Sequence, residues 1–103
     1  MSSGKSMEPD DPRVWFNLGV AYAQRGELDA ALAAYREALR LRPDSAEAWY
    51  NLGRVYGDQG DFAHAIQALR EAVRLKPDYA KAWFNLGVAC AIHGDRERLP
   101  AVY

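Results

Sequence analysis

Apolar residues recur along this chain every three or four positions rather than alternating. Trp15, Leu18 and Tyr22 fall on one face of a helix, and Leu32, Tyr35, Ala38 and Leu41 on one face of the next, with no period-two run that would mark a strand. Glycine and proline punctuate the pattern. Gly26, Gly60 and Gly94 each stand where a first helix should end and turn, and Pro43 and Pro77 stop the second. The spacing predicts an all-α fold with helices over 12–25, 29–42, 46–59, 63–76 and 80–93. Aspartates supply the helix starts: Asp10-Asp11-Pro12 precedes the first helix, while Asp44 and Asp78 follow the two prolines. Asp44 and Glu47 have the spacing of a capping box, which makes Asp44 the expected cap of the third helix.

The pattern is itself periodic. Trp15, Trp49 and Trp83 lie 34 residues apart and open the phrases WFNLGVAYAQRG, WYNLGRVYGDQG and WFNLGVACAIHG. A unit of this size cannot shield its apolar face alone, so order comes from stacking copies and function from the surface the stack presents. The expected organisation is a flexible leader or expression remnant over 1–11, one repeat over 12–45, a second over 46–79 and a shortened third over 80–103. That third unit has a first helix and a stub of the second, in which Leu99 and Tyr103 align with Ala65 and Leu69. Glycine at 19, 53 and 87 and alanine at 31 and 65 remove bulk where the two helices of a hairpin cross, and the Trp, Leu and Tyr of the first helix fill the space on either side.

The recurring set Trp15, Leu18, Gly19, Tyr22, Ala31, Tyr35, Ala38 and Pro43, repeated as Trp49, Leu52, Gly53, Tyr56, Ala65, Leu69, Ala72 and Pro77, resembles the tetratricopeptide repeat pattern; Leu69 stands where the family prefers a large aromatic. The resemblance covers nearly all of the chain after the leader, about two and a half units. It implies antiparallel helix-turn-helix units stacked as a right-handed α-solenoid, with the first helices lining a concave groove. On that assignment the groove carries Phe16, Asn17 and Val20 from the first unit, Tyr50, Asn51 and Arg54 from the second, and Lys81, Phe84, Asn85 and Val88 from the third. Aromatic faces supply contact area and asparagine amides can grip a peptide backbone, so the implied guest is a peptide or protein segment. The asparagines also match a residue common in idealised repeats, which makes a scaffold role the competing reading. Family members that clamp acidic carboxyl-terminal tails use lysines, asparagines and an arginine. Asn51 and Lys81 match that clamp, whereas Phe16, Val20 and Asn85 do not, which implies weak or no binding of such tails.

Composition narrows the chemistry. With 103 residues, half of them apolar, one small domain is expected. Thirteen basic against 14 acidic residues leave a formal charge of -1, which gives no global attraction to nucleic acid or to an anionic membrane. Cys90 is the single cysteine, so an intrachain disulfide is excluded, and a reducing, cytoplasmic setting is expected. Cys90 takes the place of Tyr22 and Tyr56, a core-facing position, and a buried thiol is expected there. No run is long and apolar enough to span a membrane, and Gly4-Lys5-Ser6 lacks the upstream glycine of a phosphate loop. His64 and His93 sit on different hairpins without a second ligand at metal spacing, and the carboxylates read as caps and solvent-face charges; no metal, cofactor or enzymatic activity is expected. Arg36, Arg40 and Arg42, echoed by Arg70, Arg74 and Lys76, form a convex basic strip. Glu37 and Glu71 are placed to pair with Arg40 and Arg74 and blunt it.

Two functional classes follow. The first is a non-enzymatic interaction scaffold holding a peptide or protein segment in the groove. The second is a structural module, engineered or part of a longer array, that associates with itself through its terminal units as a swapped dimer or a head-to-tail stack.

Overall fold

The computed structural model describes residues 10–102, with side chains through Arg98. Residues 1–9 of the expected leader over 1–11, with Gly4-Lys5-Ser6, lie outside these residues, as does Tyr103. Five helices follow in order: α1 (Pro12–Gln24), α2 (Leu28–Leu41), α3 (Ala46–Asp58), α4 (Phe62–Leu75) and α5 (Ala80–Val102).

Local chemistry sets the boundaries. The Asp11 carboxylate accepts from the backbone N–H of Arg13 at 2.9 Å, and Pro12 opens α1 where its missing N–H costs nothing. Gly26 and Gly60 take φ of 77° and 81°, the left-handed conformation that turns the chain after α1 and α3. Asp61 caps α4 by accepting from His64 N–H at 3.2 Å. The expected cap at Asp44 is corrected: Ser45, adjacent to the first helical residue, accepts from Ala48 N–H at 3.2 Å. Asp44 sits one residue further out and reaches Arg42 instead, at 3.8 Å.

Each hairpin packs glycine against a large side chain. A Cβ on Gly19 would lie 2.5 Å from the Tyr35 ring, and one on Gly53 would lie 2.7 Å from Leu69. Around these crossings Ala31, Tyr35, Ala65, Leu69 and Ala72 are buried, joined from α3 by Ala48, Leu52, Val55 and Tyr56. Helices α1, α3 and α5 touch in sequence along one side, whereas α2 and α4 on the other are not in contact among the described residues. The stack therefore curves around the odd-numbered row. This is the helical-repeat solenoid that the periodicity predicts.

The last helix departs from expectation. No turn occurs at Gly94, whose φ is not positive, and α5 runs unbroken for 23 residues to Val102. The cause is visible two residues past Gly94. Leu28 and Phe62 open α2 and α4 as partly buried apolar anchors, but the aligned position holds Arg96. Its guanidinium donates to the Gly60 carbonyl at 3.0 Å and covers the Phe62 ring, 4.9 Å from its centroid. Nothing pulls the chain back, and the strong helix formers Arg96, Glu97 and Arg98 carry the helix onward. The buried thiol expected at Cys90 is corrected as a result: without a returning helix, Cys90 is exposed.

Candidate functional site

The inner row is built from the first helices of each unit, and two clefts flank α3 on that side. One, of about 200 Å³, is walled by Val20 and Gln24 of α1, Tyr35 of α2, and Asn51, Arg54 and Asp58 of α3. The other, also about 200 Å³, is walled by Gly53, Arg54 and Asp58 of α3, Phe62 and Leu69 of α4, and Asn85 and Val88 of α5. Arg54 and Asp58 are common to both. One helical turn apart and both exposed, they form a charged ridge between two partly apolar hollows.

The ten expected groove residues divide. Asn17, Arg54, Lys81, Phe84 and Val88 are exposed, with Phe84 at 72% the most open large hydrophobic residue among those described. Val20 is half-buried in the first cleft. Phe16 is also half-buried, with its ring 5.8 Å from that of Tyr35. Tyr50 does not belong to an exposed aromatic row: it is 7% exposed. Tyr79, on the turn entering α5, packs its ring 5.1 Å away, and the Asn85 amide donates to the Tyr50 hydroxyl at 3.1 Å. The next unit thus closes over Tyr50. Asn51 is half-buried and lines the first cleft together with Tyr35.

The electrostatics are mild. Burial pushes the Tyr35 hydroxyl pKa up, opposed by the Asn51 amide and the nearby Arg54 charge. Burial also raises that of Tyr79, helped by Glu47 and Tyr50. Arg54 lies 5.9 Å from the Tyr50 ring centroid, a cation resting on an aromatic face. On the outer side the expected pairs form: Arg40 meets Glu37 at 2.9 Å and Arg74 meets Glu71 at 2.8 Å. Arg36 donates to the Tyr56 hydroxyl and lies over its ring, and His64 stacks on the same ring while its Nδ1 meets Asp61 at 2.8 Å. These side chains brace one another. No cluster of three or more His, Cys, Asp or Glu side chains fit to hold a metal occurs among the described residues. No helix among them is long and apolar enough to cross a membrane.

Hairpins of this size, stacked in register with glycine at each crossing and a curved inner row, define an α-solenoid of the helical-repeat class. A family model described as "TPR repeat" matches residues 21–60 and 53–94, and the chain belongs to the tetratricopeptide repeat family. Members of this family are generally non-catalytic interaction modules, so a role as a protein-interaction scaffold follows from membership. Among solved structures, two of MamA are similar, with TM-scores of 0.83 and 0.80 and identities of 29% and 31% over 89% and 85% of this chain. The chain spans about half of theirs, 54% and 48%. A mutant of the Thermobaculum terrenum O-GlcNAc transferase is similar with a TM-score of 0.76 and 33% identity, over 82% of this chain but only 16% of that enzyme. Comparison with curated protein sequences gives no significant match.

Proposed function

We propose that this protein is a non-enzymatic scaffold that holds a peptide or protein segment across the inner row of α1, α3 and α5. The observation that carries the reading is the Arg54–Asp58 ridge between two clefts, continued by the exposed Phe84 and Val88. An extended segment crossing the row would drop apolar side chains into the hollows and meet a charge of each sign at the ridge. Its ligand-facing set is Asn17, Val20, Arg54, Lys81, Phe84 and Val88, while Phe16, Tyr50, Asn51 and Asn85 support that surface from beneath. A cytoplasmic, reducing setting suits the exposed thiol of Cys90.

Selection of a displayed peptide library against the full chain tests this reading. Enriched peptides should perturb backbone resonances along α1, α3 and α5, and Arg54→Glu with Phe84→Ala should weaken them at least tenfold. Perturbations confined to α2 and α4, or affinities indifferent to both substitutions, would overturn it.

A second reading, self-association, is favoured by a different observation. Trp83, Phe84, Gly87, Val88, Cys90 and Ala91 share one side of α5 and all are exposed.

A further inference from the structure

A hollow of about 350 Å³ lies outside the inner row, where α2 and α4 both pack on α3 without touching each other among the described residues. Leu39, Leu52 and Ala68, all buried, form its apolar floor, and the small Ala68 leaves the space open. Arg36 and Arg40 of α2 and His64 and Gln67 of α4 form its exposed rim. Both inner clefts include Asp58, whereas no Asp or Glu lines this hollow. Arg40 meets Glu37 and His64 meets Asp61, two carboxylates that do not line it. Arg36 makes no ion pair among the described residues. Its guanidinium is seated on the Tyr56 hydroxyl and over the Tyr56 ring, 5.6 Å from the centroid. A cation fixed in this way loses little freedom when it takes an anion. The arrangement is particular to this interval of the stack. Position 90, one repeat after Tyr56, is a cysteine, and Arg70, one repeat after Arg36, lies over no aromatic ring among the described residues.

We propose that this outer hollow is a second binding site, which takes a short acidic segment of another protein. One large apolar side chain of the segment enters the hollow beside Trp49, and a neighbouring carboxylate meets Arg36. Gln67, whose side chain makes no hydrogen bond among the described residues, supplies a further donor across the gap. Charge complementarity selects this occupant: an apolar floor with a seated cation and no carboxylate in its walls. A nucleic acid needs a run of cations free of carboxylates, but along the same outer face Arg40 and Arg74 are held by Glu37 and Glu71. A small anionic molecule would stay largely open here, because the rim residues are exposed and such sites bury most of their ligand. A protein segment instead runs on past the hollow along the gap between α2 and α4. The site is separate from the inner row, since none of its lining residues belongs to the ligand-facing set there.

The test titrates the full chain with a capped Glu-Asp-Phe-Glu-Asp peptide and follows the indole N–H resonance of Trp49, with the Trp15 and Trp83 indoles as internal controls. Trp49 should shift to saturation while the other two stay. Arg36→Glu and Gln67→Glu should each weaken binding roughly tenfold, whereas Arg70→Glu, the same change in net charge as Arg36→Glu but outside the hollow, should stay within about twofold. Serine in place of the peptide's phenylalanine should weaken it as well. Gln67→Glu removes no hydrogen bond among the described residues, so it carries the test if Arg36→Glu lowers the thermal midpoint. Arg54→Glu with Phe84→Ala should leave this affinity unchanged, so that failure of the inner groove and failure of the outer hollow read out separately. No Trp49 shift at peptide concentrations up to ~10 mM would overturn the site. Equal weakening by Arg36→Glu and Arg70→Glu, or indifference to Gln67→Glu, would overturn it too.

Discussion

The indole N–H of Trp49 donates to the carbonyl oxygen of Pro43 at 2.8 Å, and Trp83 makes the same bond to Pro77 at 2.7 Å. The residue that marks each repeat therefore does two things: it fills the hairpin and ties the first helix to the turn that precedes it, six residues upstream. Trp49→Phe keeps most of the apolar area and loses the bond, so it should cost about 0.5–1.5 kcal/mol in denaturant unfolding. Trp49→Ala should cost roughly 3–5 kcal/mol, because the area goes too. Equal losses for the two variants would show that the hydrogen bond, not the packed ring, dominates.

Two of the three equivalent glycines, Gly53 and Gly87, should respond oppositely to a methyl group. At Gly53 an added Cβ meets the branched carbon of Leu69 at 2.7 Å and the Ala65 carbonyl at 3.3 Å, and backbone cannot move aside. Gly53→Ala is expected to lose about 1–3 kcal/mol through overpacking. Gly87 meets nothing, so at concentrations where the chain is monomeric Gly87→Ala should gain up to ~1 kcal/mol from helix propensity. Thermal unfolding of the two variants side by side decides it.

These contrasts show which features were legible in the residues and why others were not. The first four helices fall within one residue of the expected ranges at either end, because the 3.6-residue periodicity and the Gly and Pro stops agree there. Gly94 has the same glycine signal and no turn. A glycine permits a turn, but burial of Leu28 or Phe62 drives it, and Arg96 supplies no such burial. Cys90 is exposed for the same reason: α5 runs straight past Gly94, and no second helix covers it among the described residues. Within the groove, periodicity places Tyr50 on the inner face correctly but says nothing of Tyr79, a turn residue, lying over it. The aromatic at 79, just before a first helix, was the available signal.

Acid should act on the start of α1 in a narrow range. The Arg13 side chain, and then its backbone N–H, hold the Asp11 pKa down to about 2 by hydrogen bonding to the carboxylate. A folded value below the unfolded ~3.9 means that the cap is fully in place above that pH and is lost as pH falls through about 2. Glu71 is lowered in the same sense by Arg74. An NMR titration of the Asp11 carboxyl should show this low midpoint, and Arg13→Ala should raise it toward ~3.9. An unmoved midpoint would remove Arg13 as the cause.

The asparagine ladder gives the sharpest separation of scaffold from ligand surface. Asn85 is half-buried with its amide on Tyr50, which joins α5 to the preceding unit, and Asn51 is half-buried in the cleft that it shares with Tyr35. Asn17, on the first helix, is exposed and makes no side-chain hydrogen bond among the described residues. Asn85→Ala should therefore cost about 0.5–1.5 kcal/mol, with the Tyr50 hydroxyl left to find water. Asn17→Ala should stay within ~0.5 kcal/mol of the parent. Peptide affinity should show the reverse order, falling for Asn17→Ala more than stability does, since Asn17 alone of the three is exposed to a guest. If Asn85→Ala unfolds at the parent midpoint while peptide binding collapses, the asparagines are contact residues after all and the division of the groove must be redrawn.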